Sequence, residues 1–218
     1  MTLIVGVDDA GRGPVIGPLV IAGVLIYDYQ TSSLKALGVK DSKALTPSQR
    51  ERLSKEIMQL ALKYTWIELG PSEVDKIVLE GTKLKKLNWL EAKTMAEVID
   101  RLKPEVAYVD ASDVNETRFA QQISELLSTK VNIISEHHAD ATYPVVSAAS
   151  IIAKVHRDEV IAELRHSYGD FGSGYPSDPK TRAFLSDWIR EKGYLPDFVR
   201  KSWKTINQLK EEKKQQSL

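Results

Sequence analysis

Cysteine is absent from the 218 residues, which removes disulfides, thiol nucleophiles and thiolate-ligated metal centres together. Long apolar runs are also missing. The longest, Pro18 to Tyr27, is strand-sized and falls well short of the ~18 residues a membrane span requires. No basic segment followed by a cleavable apolar stretch is present, so a cytoplasmic location is expected. There is no excess of either charge, with 30 Lys+Arg against 30 Asp+Glu, which argues against a protein that coats nucleic acid by bulk charge. The charges are unevenly spread, however. From Pro176 onward there are 10 Lys+Arg against 6 Asp+Glu, leaving the preceding residues acidic. Such a chain could hold cations in its body and phosphates on its tail, or the tail charges could simply solvate a helical surface.

What is present reads as an α/β domain. "LIVGV" (Leu3–Val7) and "PLVIAGVLIY" (Pro18–Tyr27) are β-branched apolar runs separated by Gly and Pro, hence two strands. About ten residues join them, too few for a parallel crossover, so the pair is expected to be antiparallel within a mixed sheet. Thr46 followed by Pro47 marks a helix start, and Leu53, Ile57, Leu60 and Ala61 form its apolar stripe. Strands are expected at Tyr64–Leu69, Glu105–Asp110 and "VNIISEH", with helices between them. "YPVVSAASIIAKVHRDEVIAELRHSY" reads as one long helix. Five strands interleaved with helices give a central mixed sheet flanked by helices, and the last ~40 residues read as a strandless helical extension.

Three aspartates share a context within that scheme. Asp8 and Asp9 follow the first apolar run, and Asp110 ends "EVAYVD". Open α/β sheets bind ligands at the carboxyl ends of their strands, so these carboxylates converge if the strands are neighbours. A fourth, Asp140, lies between "IISEHHAD" and the long helix. Ionised carboxylates brought together call for a cation, and an oxygen-only donor set favours Mg²⁺ or Mn²⁺ over zinc. Two such ions can activate water and stabilise a leaving oxygen in phosphodiester hydrolysis. On pattern alone the opposing view is equally open, since aspartates after strands also cap helices and close turns.

Five longer strings, "DDAGRGPVIGPLVIAGV", "VKDSKALTP", "YVDASDV", "HADATYPVVSAASIIAKVHRD" and "GSGYPSDPKTRAFL", occur in this order. Together they resemble type 2 ribonuclease H in its single-chain archaeal form, from residue 4 to about residue 204. The resemblance implies a ribonuclease H-like catalytic domain, set at residues 1–175, and a C-terminal helical extension at 176–218 that contributes to substrate binding. It implies hydrolysis of the RNA strand of RNA–DNA hybrids and incision 5′ of ribonucleotides embedded in duplex DNA, leaving 3′-hydroxyl and 5′-phosphate ends. It also implies a Mg²⁺- or Mn²⁺-dependent two-metal reaction; a monomer without membrane association is expected. By matching position, the catalytic and metal-binding carboxylates are Asp8, Asp9, Asp110 and Asp140. The substrate-binding residues implied are Gly11, Arg12 and Gly13, which read the 2′-hydroxyl and adjoining phosphate, Ser42 and Lys43 on the backbone, and Tyr175 against the sugar beside the RNA–DNA junction.

Two positions depart from the family pattern. Its opening motif is normally Asp-Glu-Ala-Gly-Arg-Gly, whereas Asp9 stands here in place of the glutamate. Asp9 is one methylene shorter, and a ~1 Å misplacement near the reacting atoms can cost ~100-fold in rate. This motivates the alternative of a hybrid-binding protein with weakened catalysis. It also motivates an expected preference for Mn²⁺, the ion more tolerant of geometry. The second departure is His138, where lysine is expected. With His137 it lies near Asp140 in sequence and could tune the site's charge, although surface or supporting histidines are the plainer reading.

Overall fold

The computed structural model describes residues 1–39, 45–80 and 86–216, with side chains to 211. β1 (Leu3–Ala10) runs through the middle of a five-stranded sheet. It pairs antiparallel with β2 (Leu19–Tyr27), from Leu3 opposite Tyr27 to Ala10 opposite Val20, as the short connection requires. β3 (Lys63–Leu69) extends the antiparallel side as an edge strand. On the other side β4 (Val106–Asp110) lies parallel to β1, and β5 (Asn132–Glu136) parallel to β4. The strand order is β3-β2-β1-β4-β5.

Alternation along β1 sends successive side chains to opposite faces. Ile4 belongs to the apolar layer formed with α7 (Pro144–Tyr168) and α2 (Pro47–Leu60), where Val20, Val24, Ile57, Val146 and Ile151 meet. Val5 and Val7 belong to the layer beneath α4 (Leu87–Leu102) and α5 (Glu116–Leu126), with Met95, Ile99, Phe119 and Ile123. Gly6 decides how close α7 comes, because a Cβ there would fall 2.2 Å from the Val145 carbonyl carbon. The absent side chain lets the first turn of α7 press directly on the central strand.

Helix starts follow their sequence signals. Thr46 caps α2, with Gln49 returning a hydrogen bond to its backbone and Pro47 at the first helical position. Asn115 caps α5 by accepting from the Arg118 N–H. The sequence reading passed over α1 (Thr31–Ala36), α3 (Pro71–Glu80) and the single turn α6 (Ala139–Thr142), each short or weakly patterned. α8 (Pro179–Lys192) and α9 (Lys204–Gln216) form the expected extension.

That extension shares a core with the loop after β1. Val15 and Ile16 pack in one apolar cluster with Phe171, Leu185, Leu195, Val199 and Ile206. Ile16 also bridges Val199 in antiparallel fashion, Gly17 N–H donates to the Phe198 carbonyl, and Arg200 N–H donates to the Val15 carbonyl. The extension is thus anchored beside the glycine loop.

Candidate active site

Asp8 and Asp9 do not follow β1 but lie within its ladder, opposite Ala22 and Ile21. The strand therefore runs three residues past its apolar stretch, and the pair straddles the sheet. Asp8 points to the α7 side, where Ser150 hydrogen-bonds its carboxyl and Lys154 lies within electrostatic range. Asp9 points to the α4 side, toward Arg12 and the buried Glu91. Adjacency in sequence thus places the two carboxylates on opposite flanks of a single strand end.

Asp110 closes β4, next to β1 and parallel to it, so the expected convergence occurs. Its Oδ1 accepts the Ala139 N–H at 2.8 Å, which ties the turn bearing Asp140 to the strand. His138 adopts a left-handed conformation (φ 57°) and so lets α6 begin immediately after β5. The half-exposed His137 ring faces the Ala111 and Val114 carbonyls at 3.3 and 3.4 Å.

Asp8 and Asp9 are electrostatically strained. Burial lifts Asp8 well above the usual carboxylate range, and the charges of Asp9 and Asp110 lift it further. Burial also raises Asp9 to about 6, against the opposing pull of Arg12. Asp8 is only 4% exposed, so water offers its charge little relief. This oxygen-rich, cation-hungry corner fits a hard divalent metal in donor chemistry. Among the described residues no three carboxylates or histidines form a ready-made cage. Mg²⁺ does not demand one, since it is commonly bound by one or two carboxylates with water and substrate phosphate completing its shell.

The Gly11–Gly13 loop contrasts with that corner. Gly11 has φ +93°, and a Cβ there would meet the Pro18 carbonyl at 2.5 Å, so glycine is required. The resemblance pointed the Arg12 guanidinium toward phosphate, but its nitrogens face protein acceptors. Nη1 donates to the Ser112 carbonyl at 2.9 Å and Nη2 to Asn88 Oδ1 at 2.6 Å, while Nε lies 3.1 Å from the fully buried Glu91. Asn88 in turn donates to Asp113, which also accepts from Asn115 N–H and Arg118. Beneath the loop, Arg200 is wholly buried and donates to the carbonyls of Gly11, Arg12 and Gly17.

Tyr175 is 43% exposed, and its ring lies against Gly13. The Gly174 carbonyl accepts from the Val15 and Ile16 N–H groups, which fixes the tyrosine beside the loop. A cavity of about 900 Å³ is lined by Asp8, Asp9, Asp110 and Asp140 together with Gly11, Arg12, Gly13 and Tyr175. Ser42 and Lys43 lie outside the described residues. Lys154 and Arg157 also line the cavity, and nothing in their sequence pattern marks them for it. Glu91 carries no sequence signal, and Arg200 reads in sequence only as one of the basic residues around Trp203, a candidate phosphate-binding surface or a packed tail. A buried charge opposite distant partners leaves no local pattern.

A family model described as Ribonuclease HII matches residues 5–206. The chain belongs to the ribonuclease HII family. It is 48% identical over 221 residues to the Ribonuclease HII of Methanosarcina barkeri, covering 97% of each chain. The crystal structure of the ribonuclease H2 from Pyrococcus horikoshii superposes with a TM-score of 0.89 at 43% identity, covering 96% of this chain and 98% of that one. The Archaeoglobus fulgidus RNase HII, whose structure is of its complex with PCNA, gives 0.84 at 43% identity, covering 94% and 96%. The ribonuclease H-like fold and the type 2 assignment expected from the motifs are therefore borne out. The chain is an endonuclease that hydrolyses the RNA strand of RNA–DNA hybrids. Among the described residues no helix is long and apolar enough to cross a membrane.

Proposed function

We propose that the cavity also incises duplex DNA on the 5′ side of an embedded ribonucleotide, leaving 3′-hydroxyl and 5′-phosphate ends. One observation carries this reading. The strand-end carboxylates, the Gly11–Gly13 loop and Tyr175 line the same cavity. Asp8, Asp9, Asp110 and Asp140 would hold Mg²⁺ or Mn²⁺, as one ion or a pair, which supplies activation of the attacking water and stabilisation of the departing 3′-oxygen.

The chain's own groups do the rest. Asp110 keeps one oxygen on the Ala139 N–H, which holds the carboxylate at the wall of the cavity it lines. Gly11 and Gly13 allow a ribose to approach the backbone, whose N–H groups can meet the 2′-hydroxyl. Tyr175 offers a ring face to the neighbouring sugar. Arg12 acts as a strut that fastens the loop to α4 and to the segment after β4, rather than as a phosphate fork. Lys154 sits beside Asp8 and Asp9 and limits the negative charge of the corner. The helical extension serves substrate binding from beneath the loop, and the protein works as a monomer in the cytoplasm.

The test is incubation with duplex DNA containing one ribonucleotide, in Mg²⁺, Mn²⁺ or chelator, followed by end analysis of the products. A single cut 5′ of the ribonucleotide, absent in chelator, is expected. Binding without cleavage under every metal would instead support the hybrid-binding alternative that Asp9 motivates.

A further inference from the structure

The carbonyls of the glycine loop all turn toward the C-terminal segment. Arg200 Nη2 donates to the Gly11 carbonyl at 2.5 Å, Nη1 to that of Arg12 at 3.0 Å, and Nε to that of Gly17 at 3.0 Å. Trp203 Nε1 takes the Gly13 carbonyl at 3.0 Å, and its ring lies 4.8 Å from the Arg200 guanidinium. In a trans peptide the C=O and the following N–H point in opposite directions. Fixing the Gly11 and Arg12 carbonyls downward therefore turns the N–H groups of Arg12 and Gly13 upward, to the cavity side.

We propose that Arg200 is the positioning residue of this site. It sets the peptide planes of Gly11–Gly13 so that two backbone donors await the ribose 2′-hydroxyl. The proposal rests on the reading of the loop given above. Arg200 is 0% exposed and cannot touch substrate, so its effect passes entirely through the loop. A guanidinium suits the task because its donors are spread in one rigid plane and can reach three carbonyls, whereas an ammonium concentrates its donors at a point. Burial brings Arg200 down to about 10, and it stays charged at working pH. A side chain placed merely to fill this part of the core would carry no charge.

The experiment compares binding of two duplexes of one sequence, all-DNA and with a single ribonucleotide, by the full chain carrying Asp110→Asn to prevent cutting. Arg200→Met and Arg200→Lys are added to that background, and cleavage kinetics are measured for the same substitutions with Asp110 intact. The ribonucleotide preference is expected to fall about tenfold or more in Arg200→Met and less in Arg200→Lys, with all-DNA affinity held within about twofold. In cleavage of the ribonucleotide duplex, KM is expected to rise in step with the weakened binding, and kcat to fall as well. Arg200→Lys keeps charge and bulk, so it decides the matter if the methionine variant fails to fold. A preference that survives in a folded variant overturns the proposal alone, as does a parallel loss of affinity for both duplexes. If the chain with Arg200 intact shows no preference, the reading of the loop falls and the proposal with it.

Discussion

The carboxylate corner and the glycine loop are neighbours in sequence, separated by Ala10 alone, yet they are prepared in opposite ways. In the loop, the carbonyls of Gly11, Arg12 and Gly13 have donors, and the Arg12 guanidinium faces a carbonyl, an amide oxygen and a carboxylate. In the corner, burial and mutual repulsion push Asp8 and Asp9 toward protonation. In the loop the protein itself engages the carbonyls and so aims the N–H groups, whereas the corner is completed by the cation it binds. Recognition of a ribose gains from a rigid backbone whose carbonyls are already engaged, whereas cation binding gains from charges whose repulsion an ion relieves.

Breaking the corner is expected to have the largest effect. Asp110→Asn removes a charge between two others and should lower cleavage by about 10³-fold, in keeping with several kcal/mol of charge stabilisation at 1.36 kcal/mol per tenfold. Binding of the uncut hybrid, followed by anisotropy, should survive. Next comes the anchor of the Arg12 strut. Glu91→Gln leaves Arg12 an uncharged partner and should reduce kcat by about tenfold, the price of a loop displaced by a fraction of an ångström. Arg12→Ala separates strut from fork. A lost phosphate contact would lower the slope of log affinity against log salt by about one, whereas a lost strut leaves the slope unchanged, as expected here.

The smallest effects concern Asp9. The folded chain keeps its Asp9 proton to about 6 while the unfolded chain loses it near 3.8. The folded state therefore binds more protons across that window, and this group lowers stability as pH rises through it. Asp9→Asn should raise the metal-free melting temperature at pH 7 relative to the unsubstituted chain by about 2–4 °C for each kcal/mol of repulsion relieved. The difference should vanish below pH 4. Asp9→Glu restores the family's longer carboxylate and should improve Mg²⁺-supported turnover more than Mn²⁺-supported turnover. Equal rates in the two metals, unchanged by the substitution, would contradict that expectation.

Much of the frame was legible from local chemistry. Thr46-Pro47 announced α2, the short Gly-Arg-Gly connection announced an antiparallel β1–β2 pair, and short apolar, β-branched segments located all five strands. The strand carrying Asp8 and Asp9 was cut short because two charges end its apolar run, although ladder pairing to Ile21 and Ala22 continues regardless. The carboxylates and Tyr175 were legible through motifs. The supports of the loop were not. Arg200 bonds residues 183 to 189 positions earlier, and Glu91 sits inside a helix whose pattern reads only as amphipathic. Such partners are set by the packing of distant segments, which leaves no trace in spacing. Ser42 and Lys43 lie outside the described residues and keep the role their motif implies as an expectation only.

The independence of the two parts can be measured by thermal unfolding at pH 7.5 with rising Mn²⁺ and no nucleic acid, using the unsubstituted chain, Arg200→Lys and Asp110→Asn. An ion that binds only the folded state adds about 2.7 kcal/mol at 100 times its Kd. The unsubstituted chain and Arg200→Lys should therefore rise by the same several degrees, while Asp110→Asn rises little. A flat response in the unsubstituted chain, or an equal rise in Asp110→Asn, would contradict a corner that waits for a cation. Loss of the rise in Arg200→Lys would contradict its separation from the loop.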